Sequence, residues 1–187
     1  MGDAVEDRAD LTTPIVLVGM MGSGKTAVGT ALAERLSVPF RDTDEAIVAA
    51  SRMTIAEIFE RDGEAFFRER ETEVLRRLLA EGPGIVSTGG GVFLRDENRA
   101  AIAAAGLSLW LRADADLLWS RVRHKTTRPL LMTDDPRGTL ERLLAERTPH
   151  YARAALAVDA APSYSIAQMV DRVVAALRDA GALREDA

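Results

Sequence analysis

A glycine-rich and basic octapeptide, GMMGSGKT at residues 19–26, directly follows the apolar run PIVLV. Its spacing is that of the phosphate-binding loop, G-x-x-x-x-G-K-[ST], with one additional glycine at Gly22. That motif requires a strand before it and a helix after it. PIVLV has the pattern of a buried strand, and KTAVGTALAERL repeats apolar residues at four-residue spacing. The motif therefore predicts a strand–loop–helix unit near the start of the chain.

The residue types of this loop suit the binding of a triphosphate. Glycines allow successive backbone N–H groups to turn inward around an anion, and the following helix directs its positive end to the same point. The Lys25 ammonium is expected to reach the β- and γ-phosphates, and the Thr26 hydroxyl is expected to bind Mg²⁺. The alternative is an ordinary glycine-rich turn with an exposed lysine, whereas a Rossmann site is excluded because no third glycine has the required offset. The predicted nucleotide contacts in this loop are Gly22, Ser23, Gly24, Lys25, Thr26 and Ala27.

Beyond this unit, short apolar runs alternate with helical patterns along the chain. The strand candidates are residues 15–18, 38–41, 84–87, 107–111 and 156–158. Strands that are regularly separated by helices predict an α/β fold, in which a mostly parallel sheet is covered on both faces. The expected organisation is a disordered lead over residues 1–13, one domain over residues 14–180 and a frayed tail over residues 181–187.

Composition limits the classes of function. The chain has 187 residues, a net charge of −5 and a charged fraction of 28%, which is typical of a globular domain and unfavourable for a general nucleic-acid binder. It contains no cysteine, so disulfides, thiolate metal sites and a cysteine nucleophile are excluded. Neither a signal peptide nor an apolar run of membrane-spanning length is recognisable. We therefore expect a cytoplasmic protein that binds neither nucleic acid nor membrane.

A pair of aspartates follows the second predicted strand, in the segment FRDTDEAI. Asp42 and Asp44 alternate on an extended stretch, so both carboxylates can point the same way. The carboxyl ends of parallel strands face the ligand crevice. There, one carboxylate can hold Mg²⁺ or its waters, and the other can accept the proton of a substrate hydroxyl. The alternative is that Asp44 only caps the next helix. The chain has no N-K-x-D guanine motif, which argues against a GTPase.

Together with later motifs, these features resemble the shikimate kinase family. GMMGSGKT, DTD, FFRERE, STGGG, RPLL and ERTPHY occur in that family's order and approximate spacing. The resemblance implies a three-layer P-loop kinase fold like that of the nucleoside monophosphate kinases. Its expected parts are a five-stranded parallel sheet, a substrate-binding helical segment over about 43–71 and a lid over about 122–137.

The resemblance also implies a reaction. The γ-phosphoryl group of MgATP is transferred to the 3-hydroxyl of shikimate, which gives shikimate 3-phosphate and ADP on the way to chorismate and the aromatic amino acids. The expected partners are therefore the small molecules ATP and shikimate, with Mg²⁺ as cofactor. We expect the enzyme to be a monomer.

The same resemblance assigns roles to individual residues. Asp44 matches the family's aspartate that bonds the shikimate hydroxyls and is the candidate base. Asp42 matches the aspartate that is associated with Mg²⁺ through water. Arg68, in FFRERE, and Arg147, in ERTPHY, match the arginines that hold the shikimate carboxylate. A planar carboxylate suits a guanidinium fork better than it suits an ammonium.

Glycines and two further arginines complete the expected site. The glycines whose backbone lies against the substrate ring in that family correspond to Gly89, Gly90 and Gly91. Arg128, in RPLL, matches the lid arginine that reaches the phosphates, and Arg121 matches another arginine near the nucleotide. The predicted catalytic set is therefore Lys25, Asp44 and Arg128. The segment VDAAPS departs from the family, because it lacks the arginine that some members place near adenine.

These assignments have less specific alternatives. Arg68 lies in a charge-rich helix and can pair on a solvated face with Glu64, Glu71 and Glu73. Arg147 can likewise pair with Glu141 or Glu146. The triple glycine can be a flexible turn, and the basic residues of 121–128 can belong to a solvated loop. For the whole protein, the alternatives are a related sugar-acid kinase, such as a gluconate kinase, and a non-enzymatic ATP-binding switch.

Overall fold

The computed structural model describes residues 9–125 and 129–185. The strands are β1 (Ala9–Leu11), β2 (Pro14–Val18), β3 (Phe40–Asp42), β4 (Gly84–Ser87), β5 (Leu107–Arg112), β6 (Leu156–Asp159) and β7 (Leu183–Glu185). The α-helices are α1 (Lys25–Leu36), α2 (Thr43–Ser51), α3 (Ile55–Ala80), α4 (Asp96–Ala105), α5 (Ala115–Val122), α6 (Pro136–Tyr151) and α7 (Ile166–Asp179). Short 3-10 helices cover Val92–Leu94 and Pro129–Leu131. No described helix is both long enough and apolar enough to cross a membrane.

Five parallel strands form the central sheet, in the order β3–β4–β2–β5–β6. Strand β2 lies in the middle, with Ile15 paired to Ile85 on one side and to Leu107 on the other. All five residues of β2 are buried, as expected for a parallel strand whose sheet is covered on both faces. The predicted parallel sheet is confirmed, and each of its strands overlaps the range predicted for it.

Alternate residues of β2 divide the core into two layers. Ile15 and Leu17 pack with the apolar residues of α1 and α7. Val16 and Val18 point to the opposite face and pack with apolar residues of α2 to α6. This division follows from the two-residue period of a strand. Helices on both faces of one sheet give the three layers that the sequence predicts.

The expected substrate-binding segment contains α2 and the first part of α3. Thr54 begins α3 with a capping box, in which its hydroxyl accepts from the Glu57 N–H (3.2 Å) and the Glu57 carboxylate accepts from the Thr54 N–H (2.7 Å). The helix is interrupted at Gly63, where φ is 84° and ψ is 171°. A side chain is strained in that conformation, so glycine is required there. Two short helices therefore precede residue 63 and a long one follows it.

The two ends of the domain pair with each other, which differs from the expected disordered lead and frayed tail. Strands β1 and β7 form a two-stranded antiparallel sheet with Leu11 opposite Leu183. The exposed fractions of these leucines are 7% and 6%, and both pack in the layer of α1 and α7. Burial of a leucine side chain contributes about 1.5–3 kcal/mol, which favours the pairing of these two short strands.

The expected lid lies between α5 and α6. Its described part, residues 122–125 and 129–137, includes the end of α5, the 3-10 helix Pro129–Leu131 and the start of α6. Residues 126–128 lie outside the described residues, and the predicted phosphate-binding Arg128 is one of them.

Candidate active site

The phosphate loop connects β2 to α1 and has the backbone that its sequence predicts. Gly22 and Gly24 have φ angles of 81° and 97°, which residues with side chains rarely adopt. At Gly19, a side chain would lie 2.8 Å from the carbonyl oxygen of Leu111. The backbone path therefore requires these glycines. The alternative of a turn with an exposed lysine is wrong, because only 9% of Lys25 is exposed.

Lys25 places its charge at the loop itself. Its ammonium donates hydrogen bonds to the carbonyl oxygens of Gly19 (2.7 Å) and Met20 (2.9 Å). Helix α1 begins at the same residue and adds the partial positive charge of its N-terminus. The Ser23 hydroxyl is buried and has no hydrogen-bond partner among the described residues. A bound phosphate can therefore be met by a cation, a helix terminus and a free hydroxyl.

A cavity of about 520 Å³ opens from this loop, which is a size typical of small-molecule sites. The residues that the sequence predicts as nucleotide contacts and that the structure describes all line it: Gly22, Ser23, Gly24, Lys25, Thr26, Ala27 and Arg121. Arg121 also donates a hydrogen bond to the carbonyl oxygen of Gly22 (3.0 Å). This bond ties α5 to the phosphate loop.

Sheet order divides the cavity into two ends. Strands β3 and β4 lie on one side of β2, so Asp44 and Gly89, which follow these strands, line the cavity from that side. Strand β6 lies on the other side of β2, and Tyr164 and Ile166, which follow it, line the cavity there. The phosphate loop lies between the two ends. Two ligands can therefore meet in front of it.

The aspartate pair lies at the end of β3, but the residue that caps α2 is Asp42. Its Oδ1 accepts hydrogen bonds from the backbone N–H groups of Asp44 (2.9 Å) and Glu45 (3.1 Å). Its Oδ2 makes neither of these bonds. Asp44 lies in the first turn of α2, and both aspartates line the cavity. The alternative in which Asp44 is the helix cap is therefore wrong.

The triple glycine after β4 brings the predicted acceptor residues together. Each glycine lies against a different one of them: Gly89 against Asp44, Gly90 against Arg147, and Gly91 against Arg68. A side chain at Gly89 would lie 3.0 Å from Asp44 Oδ1, and one at Gly90 would lie 2.7 Å from Arg147 Nη1. At Gly91, a side chain would collide with the guanidinium group. The three glycines thus allow these side chains to lie against the loop backbone, which a merely flexible turn would not explain.

Arg68 pairs with neighbouring glutamates, but not on a solvated face. Its Nη1 donates to both carboxylate oxygens of Glu71 (2.9 and 3.2 Å), and its Nη2 donates to Glu64 (3.4 Å). Only 1% of the Glu71 side chain is exposed. Burial raises the pKa of this carboxyl; the charge of Arg68 opposes the shift, and the charge of Asp44 adds to it. Glu73, the third possible partner, pairs with a different arginine.

Arg147 is a buried cation without an acidic partner in the described parts of the chain. Its exposed fraction is 7%, and no described carboxylate lies within 4.0 Å of its guanidinium. The alternative partners Glu141 and Glu146 pair instead with Arg137 (3.0 Å) and Arg142 (3.9 Å). Burial of a charge without an opposite charge is unfavourable, so an anion bound beside Gly90, the cavity-lining glycine that Arg147 approaches, would relieve it.

Glu71 and Tyr151 belong to this site, although neither is predicted from the sequence to have a role in it. Tyr151 is fully buried, and its hydroxyl donates to the carbonyl oxygen of Gly90 (2.7 Å). Burial raises the pKa of this hydroxyl, and Arg147 opposes the shift, so the group is a donor at neutral pH. The signal that could have identified both residues is spacing. Glu71 follows Arg68 by three residues and Tyr151 follows Arg147 by four, so each pair shares a helix face.

Oxygen donors for a divalent cation are present beside the phosphate loop. The Thr26 side chain is exposed in the cavity wall, and Asp42 retains the carboxylate oxygen that does not cap α2. Within residues 9–125 and 129–185, no group of three or more His, Cys, Asp and Glu side chains could hold a metal alone. The Thr26 hydroxyl and the Asp42 carboxylate fit Mg²⁺, because this ion usually binds through one or two protein oxygens together with phosphates and water.

Comparisons with known proteins point to one family. The model of the family "Shikimate kinase" matches residues 21–178. A shikimate kinase from Ruegeria pomeroyi is 59% identical over 169 residues, which cover 90% of this chain and 87% of the relative. The structure of a shikimate kinase from Acinetobacter baumannii in complex with shikimate has a TM-score of 0.83 and 34% identity. That alignment covers 91% of this chain and 94% of the other.

A more distant neighbour shares the architecture. A gluconokinase from Sinorhizobium meliloti has a TM-score of 0.59 at 23% identity, and the alignment covers 91% of this chain and 94% of that one. At this level of identity, the likeness shows a common fold alone.

Proposed function

This chain belongs to the shikimate kinase family, and we propose that its cavity binds ATP at the phosphate loop and shikimate at the triple glycine. The protein is an ATP-dependent phosphotransferase of the shikimate pathway. The observation that carries the proposed site is the approach of Asp44, Arg147 and Arg68 to three consecutive glycines. One carboxylate and two guanidinium groups complement an acceptor that carries hydroxyls and a carboxylate.

The acceptor carboxylate is proposed to bind between Arg147 and Arg68. Arg147 brings a charge that no described carboxylate neutralises. Arg68 is held in place by the buried Glu71. Because the Arg68 side chain is already oriented before the ligand binds, less side-chain entropy is lost on binding. The two arginines therefore have different roles. Arg147 supplies a positive charge that no described carboxylate shares, and Arg68 supplies a guanidinium group that is already oriented.

Phosphoryl transfer joins the γ-phosphorus of ATP to the oxygen of the 3-hydroxyl of shikimate. The bond between the γ-phosphorus and the β,γ-bridging oxygen breaks, so the products are ADP and shikimate 3-phosphate. In the proposed mechanism, Asp44 orients the hydroxyl and accepts its proton. Lys25 neutralises negative charge on the β- and γ-phosphates. Both residues line the cavity.

Thr26 and Asp42 are the residues proposed to hold Mg²⁺. The Thr26 hydroxyl would bind the ion directly, and Asp42 would bind it through water. When bound, the ion supplies positive charge to the phosphate oxygens. The capping role of Asp42 is compatible with this assignment, because only Oδ1 accepts the two backbone hydrogen bonds.

The far end of the cavity is the proposed site of the adenine base. Tyr164 is held by Arg172, whose guanidinium lies 3.9 Å from the ring centroid and donates to the ring hydroxyl (2.5 Å). Ile166 is 51% exposed, and a bound base would cover it. Arg121 lines the same cavity from α5. Apolar and aromatic side chains would thus contact the adenine base in place of the arginine that the segment VDAAPS lacks.

Residues 122–137 are proposed to close over the bound ligands and to bring Arg128 to the phosphates. Closure would exclude water, which otherwise competes as an acceptor. Hydrogen exchange in this segment should slow when ATP and shikimate bind. Equal exchange with and without ligands would contradict the lid.

The enzyme is proposed to act as a monomer in the cytoplasm. Every described residue assigned to the two substrates comes from one chain. Sedimentation of the active enzyme should give the mass of a single chain, and activity confined to a dimer would contradict this proposal.

Formation of ADP with shikimate, with gluconate and without an acceptor tests the function. We expect ADP formation to depend on shikimate and gluconate to behave like the blank. Asp44→Asn keeps the size of the side chain but removes its charge, and it should lower turnover by at least about 100-fold. Dependence on gluconate would indicate a sugar-acid kinase, and independence of both acceptors would indicate a nucleotide-binding switch. Full turnover of Asp44→Asn would contradict the role of Asp44.

A further inference from the structure

Tyr151 connects the helix that carries Arg147 to the triple glycine. It is the last residue of α6 and follows Arg147 by one helical turn. Its ring is fully buried and lies 6.0 Å from the Trp110 ring, measured between centroids. Its hydroxyl donates to the carbonyl oxygen of Gly90 (2.7 Å). The one polar atom of the side chain is therefore directed at the loop that faces the acceptor.

This hydrogen bond holds the Gly90–Gly91 peptide plane, beside the bonds that the Leu94 N–H donates to the Gly91 carbonyl (3.2 Å) and the Gly89 N–H donates to the Thr43 hydroxyl (3.1 Å). In a trans peptide, the carbonyl and the N–H of the next residue point in opposite directions. Because the Gly90 carbonyl points to the Tyr151 hydroxyl, the Gly91 N–H points away from it. In the described parts of the chain, no residue accepts a hydrogen bond from this N–H. The group is therefore available to a ligand bound at the triple glycine.

Three consecutive glycines need such an anchor. Glycine has the widest backbone freedom of any residue, so the loop has no side chains of its own that restrict the peptide. A Cβ atom placed at Gly90 would lie 2.7 Å from Arg147 Nη1 and 3.5 Å from Tyr151 Oη. Both side chains of α6 thus converge on the same backbone position, one as a cation and the other as a hydrogen-bond donor.

We propose that Tyr151 is a positioning residue of the acceptor site, which orients the Gly90–Gly91 peptide and keeps Arg147 in register with it. The inference rests on the proposed function, since it concerns the binding of shikimate. The acceptor then meets an N–H group and a guanidinium that are already in place. ATP, which binds at the phosphate loop, depends on neither of them.

Tyr151→Phe tests this role because it removes one oxygen atom and keeps the buried ring. We expect the Michaelis constant for shikimate to rise about five- to tenfold, as for one lost neutral hydrogen bond, and that for ATP to change less than about twofold. Thr148→Val is the matched control. It removes a hydroxyl from the same helix, but this hydroxyl donates to the helix's own Leu144 carbonyl (2.6 Å). Both Michaelis constants should stay unchanged in the control.

A double-variant cycle adds a readout that a purely structural hydroxyl would not affect. If Tyr151 acts through Arg147 and the glycine peptide, Tyr151→Phe combined with Arg147→Met should weaken shikimate binding by less than the product of the single effects. An unchanged constant for shikimate, equal rises for both substrates, or multiplicative effects in the double variant would overturn the inference. Absence of shikimate-dependent ADP formation in the parent would instead overturn the proposed function, and the inference with it.

Discussion

Replacement of Arg147 by methionine should separate ligand binding from the stability of the fold. Methionine has a similar length and no charge, so the buried space stays filled. The guanidinium is 7% exposed and has no described carboxylate within 4.0 Å. No described carboxylate thus offsets its desolvation. We expect Arg147→Met to unfold at the same temperature as the parent or at a higher one, while shikimate binding is strongly weakened.

The expected loss of shikimate affinity depends on the hydrogen bonds that each arginine already makes within the protein. A hydrogen bond to a charged group contributes about 1.5–3 kcal/mol, and about 1.4 kcal/mol corresponds to a factor of ten. Arg147 shares its charge with no described carboxylate, so its loss should raise the Michaelis constant for shikimate by about 100-fold. Arg68 already bonds Glu71 and Glu64. Arg68→Met should therefore raise that constant only about tenfold.

The assay is ADP formation with shikimate varied at saturating ATP, and then with ATP varied at saturating shikimate. Arg142→Met is the matched control, because Arg142 lies on the same helix but is 66% exposed and pairs with Glu146 at 3.9 Å. It should change neither constant. Arg147→Lys should restore part of the affinity, since lysine keeps the charge but loses the fork. A larger loss for Arg68→Met than for Arg147→Met would refute the reasoning, as would marked destabilisation of Arg147→Met with normal shikimate binding.

Three further predictions concern the rest of the site. Lys25→Ala should lower turnover by at least about 100-fold, because this charge lies where the phosphoryl group moves; near-normal turnover would contradict the phosphate-loop assignment. Burial raises the pKa of Glu71 above its ordinary value near 4.5, so the parent loses stability as the pH rises through the folded-state pKa. Glu71→Gln should therefore gain thermal stability relative to the parent as the pH is raised above the ordinary carboxyl value near 4.5, and an identical pH dependence of the two unfolding temperatures would contradict this. Tyr164→Ala should raise the Michaelis constant for ATP about tenfold, as for one lost stacking contact, without changing that for shikimate; an effect confined to shikimate would disprove the base site.

The sheet and the phosphate loop are the parts that sequence reasoning predicts best. A strand buried on both faces is an uninterrupted apolar run. PIVLV is such a run, and it lies between a polar segment and a glycine loop, so a strand is predicted there. The loop depends on local backbone geometry, which glycines reveal directly. The same holds for the triple glycine, whose position after β4 predicts close approach, although the sequence alone does not reveal which side chain approaches which glycine.

Features that depend on distant contacts are harder to predict. The run FFRERE looks like a solvated helix face, and Glu71 is buried only because the glycine loop and Asp44 pack beside it. The cap of α2 is uncertain from sequence, since Asp42 and Asp44 both precede an apolar helix and differ by two positions. The β1–β7 sheet has no local signal at all. Each of its strands has three residues, and each is stabilised by a partner from the other end of the chain.

That terminal pairing also affects how a newly synthesised chain completes its fold. Translation adds about 5–20 residues per second, so β7, which lies about 170 residues after β1, is synthesised about 10–35 s after it. During this interval, Leu11 cannot be covered by Leu183, which it faces in the finished sheet. Closing so long a loop has an entropic cost that grows with its length. The two-stranded sheet should therefore form after the parallel sheet, once β7 has left the ribosome, and it would then hold the first and last strands of the domain together.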